Sequence, residues 1–585
     1  MTCPYPSISV TERNDNTMND AQQQFERWLN RAAELAEEMN RITSKEEFED
    51  CFGTSLVFGT GGLRGKMGAG IGRMNRYTVA QATQGLANYL LREEAQPSVV
   101  IARDTRNGSY EFSKTAAEVL CAAGVRVWWF ENPRPTPMLS FAVRFFSASA
   151  GIVITASHNP KEYNGYKVYN GAGSQITDIA AGNILAEIHN VDLFDGWNGA
   201  NLEDAVQRGL LTVLGDGSDC DKRYYELVRQ SVIRKDLTAL HGTELSILYT
   251  PLYGSGNAPV RQVLQSAGFP NVAVVEEQTQ ADGNFPGLVR PNPEEFGAYA
   301  MALEQANELN PDLIFATDPD SDRIGVLTYG ADGKYSVLTG NQTGCLLLEY
   351  IIRSHLEKGT LPPNPAAVKT IVTTDLAGSI CREYGVTLFD VLTGFKYIGE
   401  KIGEWEESGE HSFLFGFEES YGCLSHTFAR DKDAVAAAVI IAQMALWHKT
   451  QGRTLHQALE AQWAKYGCSQ ERLISVPLNA AKQQERMSAL RSDWQTAFAG
   501  EKPVLLEDYL SAEKRDLLSG GVTAIDLPRS NVLKFTFADG AWLVLRPSGT
   551  EPLIKLYVHA IAADEVSAAA RVEALLAIGS GIAGV

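Results

Sequence analysis

Ser157 stands in the stretch "ITASHNPKEYNGYKVYN" (154–170), with His158 next to it and Lys167 ten residues on. An apolar run, "SAGIVI", leads into it, so the serine falls at a strand end, and Asn164-Gly165 reads as a turn before Lys167. A serine with two proton-handling groups nearby is a candidate nucleophile. A second stretch, "TDPDSDR" (317–323), closes the apolar strand "LIFA" and sets Asp318, Asp320 and Asp322 at alternate positions. Carboxylates this crowded repel one another unless a cation sits among them, and hard oxygen ligands select Mg2+ or a similar ion. An EF-hand would need Gly sixth and Glu twelfth in such a loop, and this chain has Arg323 and Tyr329 there. A metal-binding loop is therefore favoured over a solvated acidic turn.

Three further stretches offer groups for an anion or a polyol. "FGTGGLRGKMGAGIGRMN" (58–75) is neither a Walker A loop, since Met67 follows Lys66, nor a GxGxxG fingerprint. It is either a flexible loop or an oxyanion cradle in which Arg64 supplies the fixed charge. "LRPSGTEP" (545–552) gathers the planar fork of Arg546, the hydroxyls of Ser548 and Thr550, and Gly549 for close backbone approach, which together suit a phosphate dianion. "LFGFEESYG" (414–422) brings Glu418, Glu419 and Ser420 to a strand end. These are acceptors for vicinal hydroxyls or, equally, acids at a helix N-terminus. "LTGFKYIGEK" (392–401) places Lys396 in a loop before a helix. A serine beside a divalent ion and facing phosphate binders favours phosphoryl over acyl transfer, and no GxSxG elbow surrounds Ser157.

The elements that must position these residues alternate. Strand and helix follow one another through "SVVIARD" and "SYEFSKTAAEVLCAAG", again from "LSILYTP" to "PDLIFATD", and a third time from "AVKTIVTTD" to "VTLFDV". Alternation of this kind implies α/β units with mostly parallel sheets. The last block differs: "NVLKFTFADGAWLVLRPSG" reads as an antiparallel hairpin about Asp-Gly, followed by "LIKLYVHA" and a terminal helix, a smaller α+β domain. Expected divisions are an N-terminal leader and amphipathic helix (1–45), domain 1 (46–215), domain 2 (216–335), domain 3 (336–465) and domain 4 (466–585). The polar N-terminus lacks the apolar core of a secretory signal and is expected to be a disordered leader, with Met18 an alternative start.

Composition narrows the class of function. The 585 residues are 44% apolar and 21% charged, as in globular proteins, and the formal net charge is -20. That excludes a nucleic-acid binder held by a basic footprint but not a small anionic ligand, because charges beyond roughly 8 Å are largely screened. The eight cysteines show no CxxC or zinc-like spacing and are expected to be reduced thiols in a cytoplasmic protein. "AVAAAVIIAQMALW" (434–447) is too short to span a bilayer, and no membrane association is expected.

"TASHNP", "DPDSDR", "GFEES" and "RPSGTEP" resemble, in order, the four signature loops of the alpha-D-phosphohexomutase family, and "FGTGGLRGKMGAG" resembles its N-terminal arginine loop. "TGFKYIGEK" and "RDKDAV" (430–435) are most similar to the branch that holds bacterial phosphoglucomutases and phosphopentomutase-like enzymes. The resemblance implies three related mixed α/β domains and a smaller C-terminal α+β domain around a central cleft. It implies a phosphorylated Ser157 that exchanges its phosphoryl group with a sugar phosphate through glucose 1,6-bisphosphate. Mg2+ would be held by Ser157, Asp318, Asp320 and Asp322. Lys167 matches the general acid/base position, useful only if neighbouring cations lower its pKa. His158, Arg64 and Arg323 would surround the transferred group. Thr393, Gly394, Lys396, Glu418, Glu419 and Ser420 would contact sugar or phosphate, and Arg546, Ser548, Gly549 and Thr550 the phosphate that is not reacting. Glucose phosphate is the expected substrate. Mannose and pentose phosphates are close alternatives; a serine phosphatase or a sugar-phosphate sensor is more distant, and the oligomeric state is left open.

Overall fold

The same four-strand unit builds each of the first three sheets. In the first, Ser98–Arg103 lies between Arg126–Phe130 and Ala150–Ile154, all parallel, and Ala150–Ile154 turns back into the antiparallel Tyr163–Asn170. In the second, Ile247–Thr250 lies between Val272–Val274 and Leu313–Thr317, and the latter turns back into Ile324–Tyr329. In the third, Pro365–Thr370 lies between Thr387–Val391 and Ser412–Phe417, which turns back into Cys423–Leu424. The repeat leaves little trace in residue identity because a crossover unit needs only apolar strands and an amphipathic helix. The computed structural model describes residues 15–59, 61–330, 332–498, 500–548 and 553–583.

The fourth sheet is antiparallel throughout its seven strands. Its hairpin Leu533–Thr536/Trp542–Pro547 closes near Asp539-Gly540, with Gly540 at φ 84° as such a turn requires. Trp542–Pro547 then pairs with Leu553–Ala562. All four motif-bearing segments are therefore connections between antiparallel neighbours. Such connections place side chains at the sheet end without interrupting the sheet's hydrogen bonds.

One apolar cluster runs through the first three domains, from Val100 and Phe130 through Phe315 to Trp447. Its centre is the helix Ala434–Lys449, apolar all round and buried over nearly its whole length. Domain 4 has its own core and meets domain 3 through a smaller cluster that includes Ile371, Leu392, Trp542 and Tyr557. Among the described residues no helix is long and apolar enough to cross a membrane. The seven described cysteines are free and buried.

Two local expectations are corrected. The single amphipathic helix expected within residues 1–45 runs Asp15–Arg31 and then breaks into Ala33–Leu35 and Ala36–Met39. The chain turns at Ala32 (φ -126°, ψ 59°) so that Met39 joins Phe25 and Trp28 in a cluster with Leu193 and Phe194. Asn164-Gly165 is not a turn but part of the strand Tyr163–Asn170. There the Asn164 amide reaches the Asn107 carbonyl (3.0 Å) and Ser109 Oγ (3.0 Å), and Gly165 allows contact with the Thr155 carbonyl, which a Cβ would meet at 2.5 Å. Residues 1–14 of the expected leader lie outside the described residues, and Met18 falls inside the first helix.

Asp433 caps the buried helix by accepting from the Ala436 N–H, and it also accepts from the Tyr224 hydroxyl (2.7 Å) and faces His426 Nε2 (2.9 Å). Asp433→Ala removes the cap and leaves buried donors unpaired, a loss of about 2–4 kcal/mol. The expected outcome is a clear fall in the denaturation midpoint, with Asp433→Asn intermediate. An unchanged midpoint would refute it.

Candidate active site

Ser157 occupies the connection between Ala150–Ile154 and Tyr163–Asn170 with φ 51°, a left-handed conformation that a non-glycine residue holds only when its surroundings enforce it. Its N–H donates to Thr155 Oγ1 (2.8 Å), and its Oγ donates to Asp318 Oδ2 (2.6 Å) across the boundary between domains 1 and 2. His158 Nδ1 lies 3.1 Å from the same Oγ. Burial, then Arg323 and Arg64, hold His158 well below its ordinary pKa and so neutral. Arg64, on the strand Leu63–Lys66, donates to Asn159 Oδ1 (3.3 Å) in the same loop.

Asp318, Asp320 and Asp322 occupy the tight connection from Leu313–Thr317 to Ile324–Tyr329, where Ser321 at φ 52° turns the chain. All three are buried, and each presents an oxygen within 4.8 Å of the others. Lys167, opposite Val153 on the returning strand, donates to Asp320 (2.7 Å) and Asp322 (3.5 Å). Lys432 of domain 3 reaches Asp322 at 3.2 Å, and Arg323 Nε lies 3.8 Å from it. Burial opposes charge on Asp322, but Lys432 and Lys167 overcome it and hold the carboxyl below its usual range. Asp318 goes the other way, raised well above that range by burial and by Asp320 and Asp322.

The donor set fits a hard divalent cation. One oxygen each of Asp320 and Asp322 is buried without a hydrogen-bond partner, so acceptor capacity remains after the lysines are counted. Lys167 departs from expectation. Burial disfavours its charge, yet Asp320 and Asp322 more than compensate and raise its pKa, because its nearest neighbours are carboxylates rather than cations.

Glu418 accepts from the Gly394 N–H (3.0 Å), and Glu419 from the hydroxyls of Thr370 (3.3 Å) and Thr373 (3.2 Å). Burial, partly offset by Lys432 and reinforced by Glu419, pushes Glu418 up to about 7. Burial raises Glu419 as well. Ser420 continues this loop, half-buried. Gly394 at φ 126° makes the bend before the helix Phe395–Ser408, and Thr393 Oγ1 is buried without a partner. Lys396 is not a solvated loop lysine: it is buried, 3.3 Å from Asp178 of domain 1 and 4.6 Å over the Tyr397 ring. Arg546 stands on Trp542–Pro547, close enough to Glu419 to favour its charge. The Ser548 N–H donates to the Leu553 carbonyl (2.9 Å), and Gly549 and Thr550 lie outside the described residues.

Four site residues escaped sequence reasoning. Lys432 lies between Asp431 and Asp433 in "RDKDAV", a buried lysine flanked by acids, which was the available signal. Glu294 pairs with Arg323 at 2.5 Å, and Thr136 donates its hydroxyl to Asp320 (2.9 Å). Arg106, in "ARDTRNGS", binds backbone carbonyls of the Ser157 loop. These contacts join residues far apart in the chain, so spacing could not reveal them. A cavity of about 600 Å³ between domains 3 and 4, lined by Lys369, Asp390 and Asp539, includes none of these residues.

Four family models match the chain in succession. Phosphoglucomutase/phosphomannomutase alpha/beta/alpha domain I matches residues 55–194, domain II 222–330, domain III 339–466, and the C-terminal domain 480–576. A phosphoglucomutase of Staphylococcus epidermidis (strain RP62A) is 38% identical over 523 residues, 89% of this chain and 93% of its own. One of Staphylococcus haemolyticus is 36% identical over 518 residues, 87% and 91% of the two chains. Among solved structures, a putative phosphomannomutase of Thermus thermophilus superposes with TM-score 0.65 at 22% identity, covering 90% of this chain and 99% of its own. The open form of parafusin from Paramecium gives TM-score 0.66 at 16% identity, covering 91% and 95%. At these identities the two structures speak for the fold.

Lys432→Ala strips a counter-charge from the buried carboxylates, and breaking such a pair destabilises by about 3–5 kcal/mol. In excess chelator the variant is expected to unfold at a lower temperature than wild type. Added Mg2+ is expected to raise its midpoint by more than it raises the wild-type midpoint. Equal shifts by differential scanning fluorimetry would show that Lys432 and the ion do not share a charge-balancing role.

Proposed function

The chain belongs to the phosphoglucomutase/phosphomannomutase family, and we propose that it interconverts glucose 1-phosphate and glucose 6-phosphate through a phosphorylated Ser157 and a glucose 1,6-bisphosphate intermediate. The chain is an enzyme, an intramolecular phosphotransferase. One observation carries the mechanism: Ser157 Oγ lies 2.6 Å from Asp318, beside Asp320 and Asp322 with their unpartnered buried oxygens. Glucose is preferred over mannose or pentose because the two Staphylococcus relatives are phosphoglucomutases.

Phosphoryl transfer calls for positioning and charge neutralisation more than for covalent machinery. When bound, Mg2+ held by Asp318, Asp320, Asp322 and the phosphorylated Ser157 supplies positive charge to the transferring group. Arg64 and Arg323, the cations beside His158, face the same group. The attacking sugar hydroxyl oxygen bonds to phosphorus as the bond from phosphorus to Ser157 Oγ breaks; the hydroxyl gives up a proton and Oγ takes one. Neutral His158 contacts Oγ directly and orients it. Lys167, kept protonated and held at the centre by Asp320 and Asp322, gives Oγ its proton, and the neutral amine so formed takes up the proton that the sugar hydroxyl releases. Glu418, Glu419, Ser420, Thr393 and the Gly394 backbone grip ring hydroxyls, Lys396 a hydroxyl or phosphate oxygen, and Arg546 with Ser548, Gly549 and Thr550 the distal phosphate. The bisphosphate then reverses in the cleft and returns its other phosphoryl group to Ser157. The buried, free cysteines fit a reducing, cytoplasmic location.

Incubation with glucose 1,6-bisphosphate is expected to add one phosphate, on Ser157, by peptide mass spectrometry, and Ser157→Ala to abolish turnover. Phosphate elsewhere with activity intact sinks the mechanism. Glucose 1-phosphate is expected to turn over faster than mannose 1-phosphate or ribose 1-phosphate, and a preference for ribose overturns the substrate assignment.

Ionised Glu418 accepts more strongly from sugar hydroxyls than the protonated carboxyl does, so sugar-phosphate affinity is expected to weaken as pH falls through about 7. Glu418→Gln is expected to remove that dependence while lowering affinity at pH 8. The same raised pKa makes the ligand-free fold less stable as pH rises from the ordinary glutamate value of about 4.3 toward 7, because the folded carboxyl keeps a proton that the unfolded one loses.

A further inference from the structure

We propose that Arg106 is the positioning residue that sets the geometry of phosphoryl transfer at Ser157, an inference that rests on Ser157 being the phosphoryl carrier. Arg106 is 3% exposed and its guanidinium lies under the serine loop. Nη2 donates to the carbonyls of Ser157 and Asn159 (2.5 Å each), and Nη1 to those of Pro160 (2.9 Å) and Tyr163 (3.2 Å). Four carbonyls thus converge on one planar cation, from a loop that closes between the strands on either side of it.

The cation is itself held from two sides. Asp104, fully buried, pairs with Arg106 Nε (3.3 Å) while its Oδ1 accepts from the Arg106 N–H (2.9 Å) and from Ser109 Oγ (2.7 Å). From domain 2, the buried Phe285 ring covers the guanidinium at 5.0 Å, and beside it Asn107 donates to Asn284 Oδ1 (3.1 Å). At Gly283 any Cβ would overlap the Asn107 backbone, so the two loops approach as closely as glycine permits.

This arrangement answers a specific need. Ser157 at φ 51° is in a strained conformation that persists only where the surroundings over-determine it. Within the loop, the Ser157 N–H to Thr155 Oγ1 bond and the Asn159 N–H to Ala156 carbonyl bond account for one side of each peptide. The outward carbonyls are the groups that Arg106 collects. A lysine cannot replace it, since an ammonium lacks the planar fork that spans four acceptors. Without the fork the serine relaxes, Oγ moves from Asp318, and transfer slows although the sugar-binding residues of domains 3 and 4 are untouched. Misplacement by about 1 Å is enough for a loss on the order of 100-fold.

The test uses full-length Arg106→Ala, Arg106→Lys and Phe285→Leu with Mg2+, following phosphate transfer from glucose 1,6-bisphosphate to Ser157 and turnover of glucose 1-phosphate. Arg106→Ala is expected to lose kcat on the order of 100-fold with little change in KM. Added guanidinium ion is expected to restore labelling of Arg106→Ala but not of Arg106→Lys, whose side chain fills the space without the fork. Phe285→Leu is expected to fall between wild type and Arg106→Ala. Wild-type labelling rate and kcat in folded Arg106→Ala overturn the inference. So do losses in both Arg106 variants that follow the unfolded fraction by circular dichroism and do not respond to guanidinium. A wild-type chain that takes no phosphate on Ser157 instead overturns the reading of Ser157 as carrier, and the inference with it.

Discussion

Three buried carboxylates in a loop of five residues are the constraint around which this molecule is organised. Asp318, Asp320 and Asp322 cannot share a water-excluded site without positive charge. The chain supplies it from three domains: Lys167 from the first, Arg323 from the aspartate loop itself, and Lys432 from the third. Each ion pair is also an interdomain tie or sits beside one, as the Thr136 hydroxyl on Asp320 illustrates. The contacts that neutralise the cluster thus also tie the domains together. The unpartnered oxygens of Asp320 and Asp322 show that the lysines do not exhaust the site's capacity for a cation.

The architecture meets this constraint by repetition. Each α/β unit ends in a strand that turns back on itself, and each turn carries one motif: the serine in the first domain, the aspartates in the second, the glutamates in the third. A turn at a sheet end is free to adopt backbone conformations that a strand cannot, and Ser157, Ser321 and Tyr421 all have positive φ there. Strain of that kind lasts only on a rigid base. The apolar cluster that passes without interruption through the first three domains provides one.

Burial raises the carboxyls of both acidic loops, and the neighbouring charges decide where each one ends. Beside Lys432 and Lys167, Asp322 stays ionised and suits a metal. Glu418, next to Glu419, is raised to about 7 and hovers between donor and acceptor. A carboxyl near neutrality can satisfy hydroxyls that present either side of a hydrogen bond. Both loops carry carboxylates, and the neighbouring cations separate their charge states.

The sequence by itself determined the chemistry and the class of fold. Alternating apolar strands and helices implied α/β units, and Ser157, the aspartate trio, the glutamate pair and Arg546 announced themselves by residue type at strand ends, where local spacing is the whole signal. Tertiary structure alone decided how these groups are charged and aimed. Lys167 looked like a base awaiting a lowered pKa, but Asp320 and Asp322, more than 150 residues away, raise it. Asn164-Gly165 looked like a turn and is strand, because Gly165 must lie against the Thr155 carbonyl. Arg106 and Glu294 carry no local mark and Lys432 only its flanking acids, since their partners lie on other strands and in other domains. Charge, burial and aim depend on neighbours in space, and those neighbours exist only once the four units have packed.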